Sequence, residues 1–293
     1  MATLRETRDR IVSVRNTSKI TQAMSMVATA KLRRAQDAIT AARPFANQVQ
    51  KILSNLSSAD SDFMHPFFEA RKDVNNIAII AITADRGLCG AFNANVLRSL
   101  TNRIAELRSQ HPKATIHIIP VGKRAVGAVR KGKDSILREF SDVFFKLDYS
   151  TAVEIADLIS DGFLGMQIDH VEILGNQFVN VMRQVVRTTQ LLPIPASSSD
   201  SAKSSSTDYI YEPSRGEILD TLLPMYVKLQ VWTALLDSNA AENAARRMAM
   251  ENATTNARDL MRTLQLLYNR ERQAAITKEM LEIVGGAEAL ASA

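Results

Sequence analysis

Residues 217–284 read EILDTLLPMYVKLQVWTALLDSNAAENAARRMAMENATTNARDLMRTLQLLYNRERQAAITKEMLEIV and contain no glycine. Residues 1–86 contain none either, and all eleven glycines lie elsewhere: nine from Gly87 to Gly216, the last two at Gly285 and Gly286. The residue that most readily interrupts a helix is thus kept out of two long terminal stretches. Proline is nearly as well excluded, Pro224 being the last in the chain. This pattern predicts two long terminal helices with a globule inserted between them. Helices of that length cannot bury themselves against one small domain. They must pack on each other and then on something else, which points to a mechanical or assembly part.

Periodicity supports the pairing. Steps of three and four from Ile11 visit Val14, Ser18, Thr21, Ser25, Ala28, Leu32, Ala35, Ile39 and Ala42, all apolar or small: a coiled-coil seam kept slim in its middle. A second stripe, Ile20, Met24 and Val27, makes the apolar face wider than one partner helix covers. Pro44 is expected to bend or re-cap this helix, which then continues through Ile52, Leu53 and Leu56. In the C-terminal stretch the same stepping from Met225 gives Leu229, Trp232, Leu236, Asn239, Asn243, Arg246, Met250, Ala253, Ala257, Leu260, Leu264, Leu267 and Glu271. That seam is apolar at its ends and polar at Asn239, Asn243 and Arg246, where polar groups cost stability but fix register. Residues 225–284 as one helix would span roughly 90 Å, so part of it is expected to project beyond the globule. An alanine- and glycine-rich tip follows from Gly285.

Between the arms, short β-type runs alternate with helical ones. Asn76–Thr83 (NIAIIAIT) and Ala114–Val121 (ATIHIIPV) read as buried strands, residues 94–108 and 151–165 as amphipathic helices, and residues 170–179 and 184–192 as two more strands. Such alternation indicates an α/β sheet with helices on its faces. Residues 197–206 hold seven serines and read as a mobile loop, leading to an exposed turn at residues 208–213, DYIYEP. The expected organisation is an N-terminal helix over 1–57, an α/β domain over 74–194, a loop and foot over 195–213 and a C-terminal helix over 214–293.

Composition narrows the function. No apolar run approaches the ~20 residues of a membrane span. Charge from Arg5 onward disfavours a secretory signal, and Glu6 and Asp9 disfavour a transit peptide. The single Cys89 excludes an internal disulfide and fits a reducing compartment. The four histidines have no metal-ligand spacing, so no metal site and no cofactor is expected. Residues 1–57 carry ten Lys and Arg against Glu6, Asp9 and Asp37, a local +7, whereas residues 214–293 carry nine basic against ten acidic residues. The basic excess of the first helix is either a solvated face or a collar for an acidic partner. Nucleic acid is disfavoured because no aromatic residue stands in residues 1–43 to stack on bases.

One stretch invites a catalytic reading. Residues 83–93, TADRGLCGAFN, follow the first strand where dinucleotide-binding folds hold phosphate. The pattern is only Gly87-x-x-Gly90, without the full phosphate-binding fingerprints, and no local histidine serves Cys89 as a base. The structural reading is a sheet-helix turn, with an ion pair of Asp85 and Arg86 fixing it as the alternative to a functional role for these two charges. The alternatives to a mechanical part are an α/β nucleotide-binding protein with a coiled-coil oligomerisation arm, and a basic nucleic-acid adaptor.

Residues 1–36, MATLRETRDRIVSVRNTSKITQAMSMVATAKLRRAQ, strongly resemble the N-terminal signature of the gamma subunit of F-type ATP synthases. Residues 241–290 resemble that family's C-terminal signature equally well, and TADRGLCGAFN and DYIYEP also fit, so the likeness runs from end to end. The resemblance implies a long antiparallel coiled coil of N- and C-terminal helices with an inserted Rossmann-like α/β domain. It implies a non-catalytic rotor shaft at the centre of three alpha and three beta subunits, meeting an epsilon subunit and a membrane ring of c subunits, with no nucleic acid and no small-molecule substrate of its own. Ion-driven rotation of that ring would then change the affinity of three nucleotide sites in turn. By motif, Met24, Lys31, Arg33, Arg34, Arg246, Arg272, Gln273, Thr277 and Glu279 look like contacts to the catalytic ring, and Tyr209, Tyr211 and Glu212 like the foot on the membrane ring. Two departures stand out: there is no cysteine pair for the thiol switch of chloroplast relatives, and Glu271 replaces the usual alanine before Arg272. A motif that starts at the N-terminus argues for a bacterial chain without a presequence, peripheral on the cytoplasmic face of the inner membrane.

Overall fold

Asn76–Ile82 (NIAIIAI) has no polar residue after its first, the signature of a strand covered on both faces, and every residue after Asn76 is buried. It is β1 and lies centrally. The computed structural model describes residues 4–58, 65–71, 73–132, 134–195 and 214–291. Its elements are α1 (Leu4–Ser58), β1 (Asn76–Ile82), α2 (Phe92–Gln110), β2 (Thr115–Val121), α3 (Lys123–Val129), β3 (Ser135–Ile136), α4 (Tyr149–Leu164), β4 (His170–Phe178), β5 (Gln184–Leu192) and α5 (Arg215–Ala291). The chain divides into two compact units, one formed by residues up to Ala28 with those from Arg247 on, the other by Thr29–Arg246. Tyr209, Tyr211, Glu212 and the serine-rich stretch lie outside the described residues.

In the larger unit five strands order as β3-β2-β1-β4-β5. The first four are mutually parallel, and β5 returns antiparallel along β4 with an irregularity between Val171 and Glu172. Strand side chains alternate between faces. Ile77, Ile79 and Ala81 pack with Val96, Leu100 and Ile104 of α2. Ala78, Ile80 and Ile82 share the opposite core with Ile155 and Ile159 of α4 and Leu223, Val227 and Leu235 of α5. Ala46, Val49 and Leu53 of α1 join that second core.

Two ion pairs close the sheet's polar positions. Asp169 accepts from the backbone N–H groups of Asn75 and Asn76, each at 2.8 Å, and pairs with Arg71 at 2.6 Å. Glu172, buried on β4, takes Arg103 of α2 at both oxygens, 2.6 and 2.9 Å, and lies 3.0 Å from His170. At the end of β2 the chain turns through Gly122 at φ 92°, where a Cβ would meet the Thr83 carbonyl oxygen at 2.2 Å. Only glycine combines that backbone with so close an approach.

In the smaller unit α1 and α5 pair antiparallel. Thr7 donates to Glu271 at 3.1 Å, and Thr21 and Thr254 share a buried hydroxyl contact at 2.7 Å. Advancing along α1 from Thr7 to Thr21 therefore moves the partner back along α5 from Glu271 to Thr254. Every stop of the expected α1 seam from Ile11 to Ala42 is buried or half-buried.

The α5 seam differs in phase. Met250, Ala257, Leu264 and Glu271 face inward as expected, but Thr254, Met261 and Tyr268 fill the intervening places, and Leu260 and Leu267 stand exposed. Steps of three and of four from a shared seam residue both land near the interface. Apolar Leu260 and Leu267 made the wrong branch attractive, and the buried Thr21–Thr254 contact belongs to the other. Pro44, expected to bend or re-cap the first helix, lies inside one helix that continues to Ser58. Helix α5 contains Pro224 and runs through Gly285 and Gly286. Short α3 and two-residue β3 carry too little periodicity to be read from sequence. Among the described residues no helix is long and apolar enough to cross a membrane.

Candidate partner-binding surface

The smaller unit displays much apolar surface. On α1, Val12, Ile20, Met26 and Val27 are exposed, Ile20 by 60% and Val27 by 58%, and Met24 is half-buried between them. The expected second stripe of Ile20, Met24 and Val27 thus stays open after the seam has closed. On α5, Leu260, Leu266, Leu267, Ile276, Met280, Leu281, Ile283 and Val284 are exposed, Leu281 by 67%. Exposed apolar side chains clustered this densely along one helix pair mark a surface suited to a partner.

The expected ring-contact residues fall into three groups. Arg272, Gln273, Thr277 and Glu279 are solvent-exposed on α5, and the Thr277 hydroxyl donates to the Gln273 carbonyl at 2.9 Å within the helix. Glu271 does not turn toward Arg272: its carboxylate accepts from Thr7 of α1. Lys31, Arg33 and Arg34, in the larger unit, are exposed on α1. Arg246 behaves otherwise. It is half-buried, donates to the Gly87 carbonyl at 2.7 Å and pairs with Glu242.

That contact explains the glycine-containing turn. Leu88 and Gly90 adopt left-handed backbone at φ 62° and 60°, folding residues 83–93 back toward α5. Ala84, Cys89 and Phe92 pack there with Ala241. Asn93 accepts from the Ala84 N–H at 2.9 Å and donates to the Arg86 carbonyl at 3.2 Å. Asp85 does not pair with Arg86. It accepts from the backbone N–H groups of Lys123, Asp142 and Phe144 at 3.0, 3.0 and 2.8 Å. Cys89 is 1% exposed, and burial pushes its thiol pKa up despite nearby Arg246. A buried protonated thiol is a poor nucleophile. Asp85, Cys89, Phe92 and Asn93 are spent on internal structure, while Arg86 and Leu88 stand exposed; with its acid and its thiol so engaged, the turn gives the nucleotide-site reading no support.

A polar cavity of about 420 Å³ lies elsewhere in the larger unit, lined by Asn47, Gln50, Gln177, Gln230 and Asp237 among others. Burial pushes the Asp237 carboxyl up, and Arg43 at 3.5 Å only partly offsets this. Its Oδ1 makes no hydrogen bond. Among the described residues no group of His, Cys, Asp or Glu is placed to hold a metal ion.

A five-stranded α/β sheet combined with an antiparallel helix pair that carries open apolar surface defines a scaffold of the kind that works inside a larger assembly. A family model described as ATP synthase matches residues 3–290. An ATP synthase gamma chain of Chlorobium phaeobacteroides is 45% identical over 291 residues, covering 99% of both chains. Among solved structures, the central stalk and c-ring of the Tetrahymena thermophila mitochondrial ATP synthase contains a chain 28% identical to this one, at a TM-score of 0.59, with 80% of this chain and 99% of that chain covered. A rotor chain of the Euglena gracilis mitochondrial enzyme shares the fold at a TM-score of 0.65 and 20% identity, over 93% of this chain and 98% of that one. The chain belongs to the ATP synthase family, on the branch of the gamma chains.

Proposed function

We propose that this chain is the central rotor shaft of an F-type ATP synthase, a non-catalytic subunit that couples rotation of a membrane ring to conformational change at nucleotide sites on partner subunits. The observation that carries the reading is a gamma-chain likeness spanning the whole chain, joined to a helix pair whose apolar surface its own seam leaves open. A single asymmetric shaft presents a different face to each of three equivalent sites. Binding free energy that differs between those faces shifts each site between conformations in turn. The partners are three alpha and three beta subunits, an epsilon subunit and a ring of c subunits, and the complex is membrane-associated with this chain peripheral. Its place is the cytoplasmic face of a bacterial inner membrane.

In this reading the open stripe around Met24 and the exposed Lys31, Arg33, Arg34, Arg272, Gln273, Thr277 and Glu279 face the catalytic ring. Basic groups there suit an acidic loop, and the apolar stripe suits a sliding contact with few directional bonds. Tyr209, Tyr211 and Glu212 are assigned to the membrane ring from their motif alone. The divisions at 1–57, 74–194, 195–213 and 214–293 follow the same reading. The test is the native mass of the complex formed with the source's own alpha and beta subunits. One copy of this chain with three of each, and ATP hydrolysis that requires it, supports the shaft. A chain that stays alone or self-associates removes it.

A further inference from the structure

Arg246 was expected to reach outward to the catalytic ring, and its geometry turns it inward. We infer that Arg246 is a positioning residue: held by Glu242 and donating to the Gly87 carbonyl, it latches the turn of residues 83–93 to α5, so that the sheet and this helix turn together. The inference rests on the rotor reading above.

The latch joins elements distant in sequence. Gly87 belongs to the turn leaving β1, and Arg246 lies on α5 159 positions later. The large apolar core shared by the sheet and α5 runs to Leu235, and beyond it Leu236, Ala240 and Ala244 pack mainly with α1 and touch the sheet through Phe178. Arg246 is about three helical turns past Leu235. The small cluster of Ala84, Cys89, Phe92 and Ala241, with Phe178 and Ala245 against it, is what packs the turn itself on this part of the helix. An apolar contact of that size slides at little cost, whereas a charge-assisted bond to one carbonyl is directional. Glu242, one turn earlier on the same helix, fixes the guanidinium so that it is preorganised for Gly87. At its other end the turn is gripped by Asp85 through the amides of Lys123, Asp142 and Phe144, so the latch holds a loop that is tied to the rest of the α/β fold.

Cys89 reports on the latch, because it is the chain's only cysteine and is buried under this turn. Two effects of Arg246→Ala act on it with opposite sign. Removing the cation alone disfavours the thiolate and slows alkylation, because Arg246 lowers the Cys89 pKa. Releasing the turn exposes the thiol and speeds it. The experiment measures the rate of N-ethylmaleimide reaction with the full-length chain, together with ion-driven ATP synthesis and ATP hydrolysis by the assembled complex. The latch predicts about tenfold faster alkylation in Arg246→Ala, as expected for local opening without global unfolding. It also predicts that synthesis falls by a larger factor than hydrolysis. Arg246→Lys keeps the charge but cannot bridge Glu242 and Gly87 with a planar fork, so it restores alkylation protection and synthesis only in part. It also serves as the test variant should the alanine protein fail to fold. Unchanged or slower alkylation overturns the latch, as does full restoration by lysine. Faster alkylation with synthesis and hydrolysis both intact overturns its role in transmitting rotation. If the wild-type chain gives no assembly-dependent hydrolysis, the rotor reading fails instead, and the alkylation rates still decide whether Arg246 holds the turn.

Discussion

Arg272 and Gln273 stand in solvent on α5 with no structural burden evident in their exposure, so replacing them tests function with little confounding loss of fold. Arg272→Ala with Gln273→Ala is expected to lower ATP turnover of the assembled complex several-fold, in the range of about 1–2 kcal/mol for contacts at a buried interface. The unfolding midpoint of the isolated chain should stay within error of wild type; unchanged turnover would remove the pair from the ring contact. Asp237 makes the opposite case. Burial of its carboxyl carries a cost that pushes its pKa up and that Arg43 only partly offsets, and its Oδ1 makes no hydrogen bond. Asp237→Asn relieves that cost, and urea denaturation at pH 7 should show about 1 kcal/mol of added stability; a loss would mean that the Arg43 ion pair outweighs burial. Residue roles were the least legible level in the sequence. Asp85 and Arg86 are adjacent charges, and adjacency suggested a pair. The true partners of Asp85 are backbone amides 38 to 59 positions away, brought near only by the sheet. The Gly87 contact of Arg246 was equally illegible, since a cation on a helix gives no sign of which carbonyl the fold will place beside it.

At the scale of elements, the sequence was far more informative. β5 was read at its observed bounds, and β1, β2, β4, α2 and α4 within about two residues. Those segments have strong periods or uninterrupted apolar runs, and each is long enough for the period to show. The two terminal helices followed from the absence of glycine. What failed was the phase of the α5 seam, because Leu260 and Leu267 competed with Thr254 and Met261 on apolar character alone. Thr254 prevails through its contact with Thr21 and its own bond to the Met250 carbonyl at 2.7 Å. Thr254→Val keeps the shape and removes the hydroxyl, which leaves Thr21 only the Ser18 carbonyl at 3.1 Å. The expected cost is about 1 kcal/mol of stability by chemical denaturation. Thr254→Val with Thr21→Val should recover most of it, because neither side then buries an unmatched hydroxyl; additive losses would contradict a direct coupling between the two.

For the whole molecule, acid stability should follow Glu172. Burial works to raise its pKa, but the paired bonds from Arg103 prevail and bring it down to about 2 from an ordinary 4.5. A folded pKa below the unfolded one means that its contribution is complete above about 4.5 and fades as pH falls from there toward about 2. Urea midpoints measured between pH 6 and pH 2 should therefore drop through that window. Glu172→Gln should be less stable at neutral pH and show a shallower fall; an equal slope in both proteins would place the acid sensitivity elsewhere. The eleven glycines of the chain also foretell how a saturation library would sort. At Gly127, Gly285 and Gly286 a new side chain would meet nothing within 4 Å, so many substitutions should survive selection there. At Gly122 even alanine would drive its methyl against the Thr83 carbonyl oxygen at 2.2 Å. That column of the library should return empty, making position 122 a place where inheritance admits a single letter.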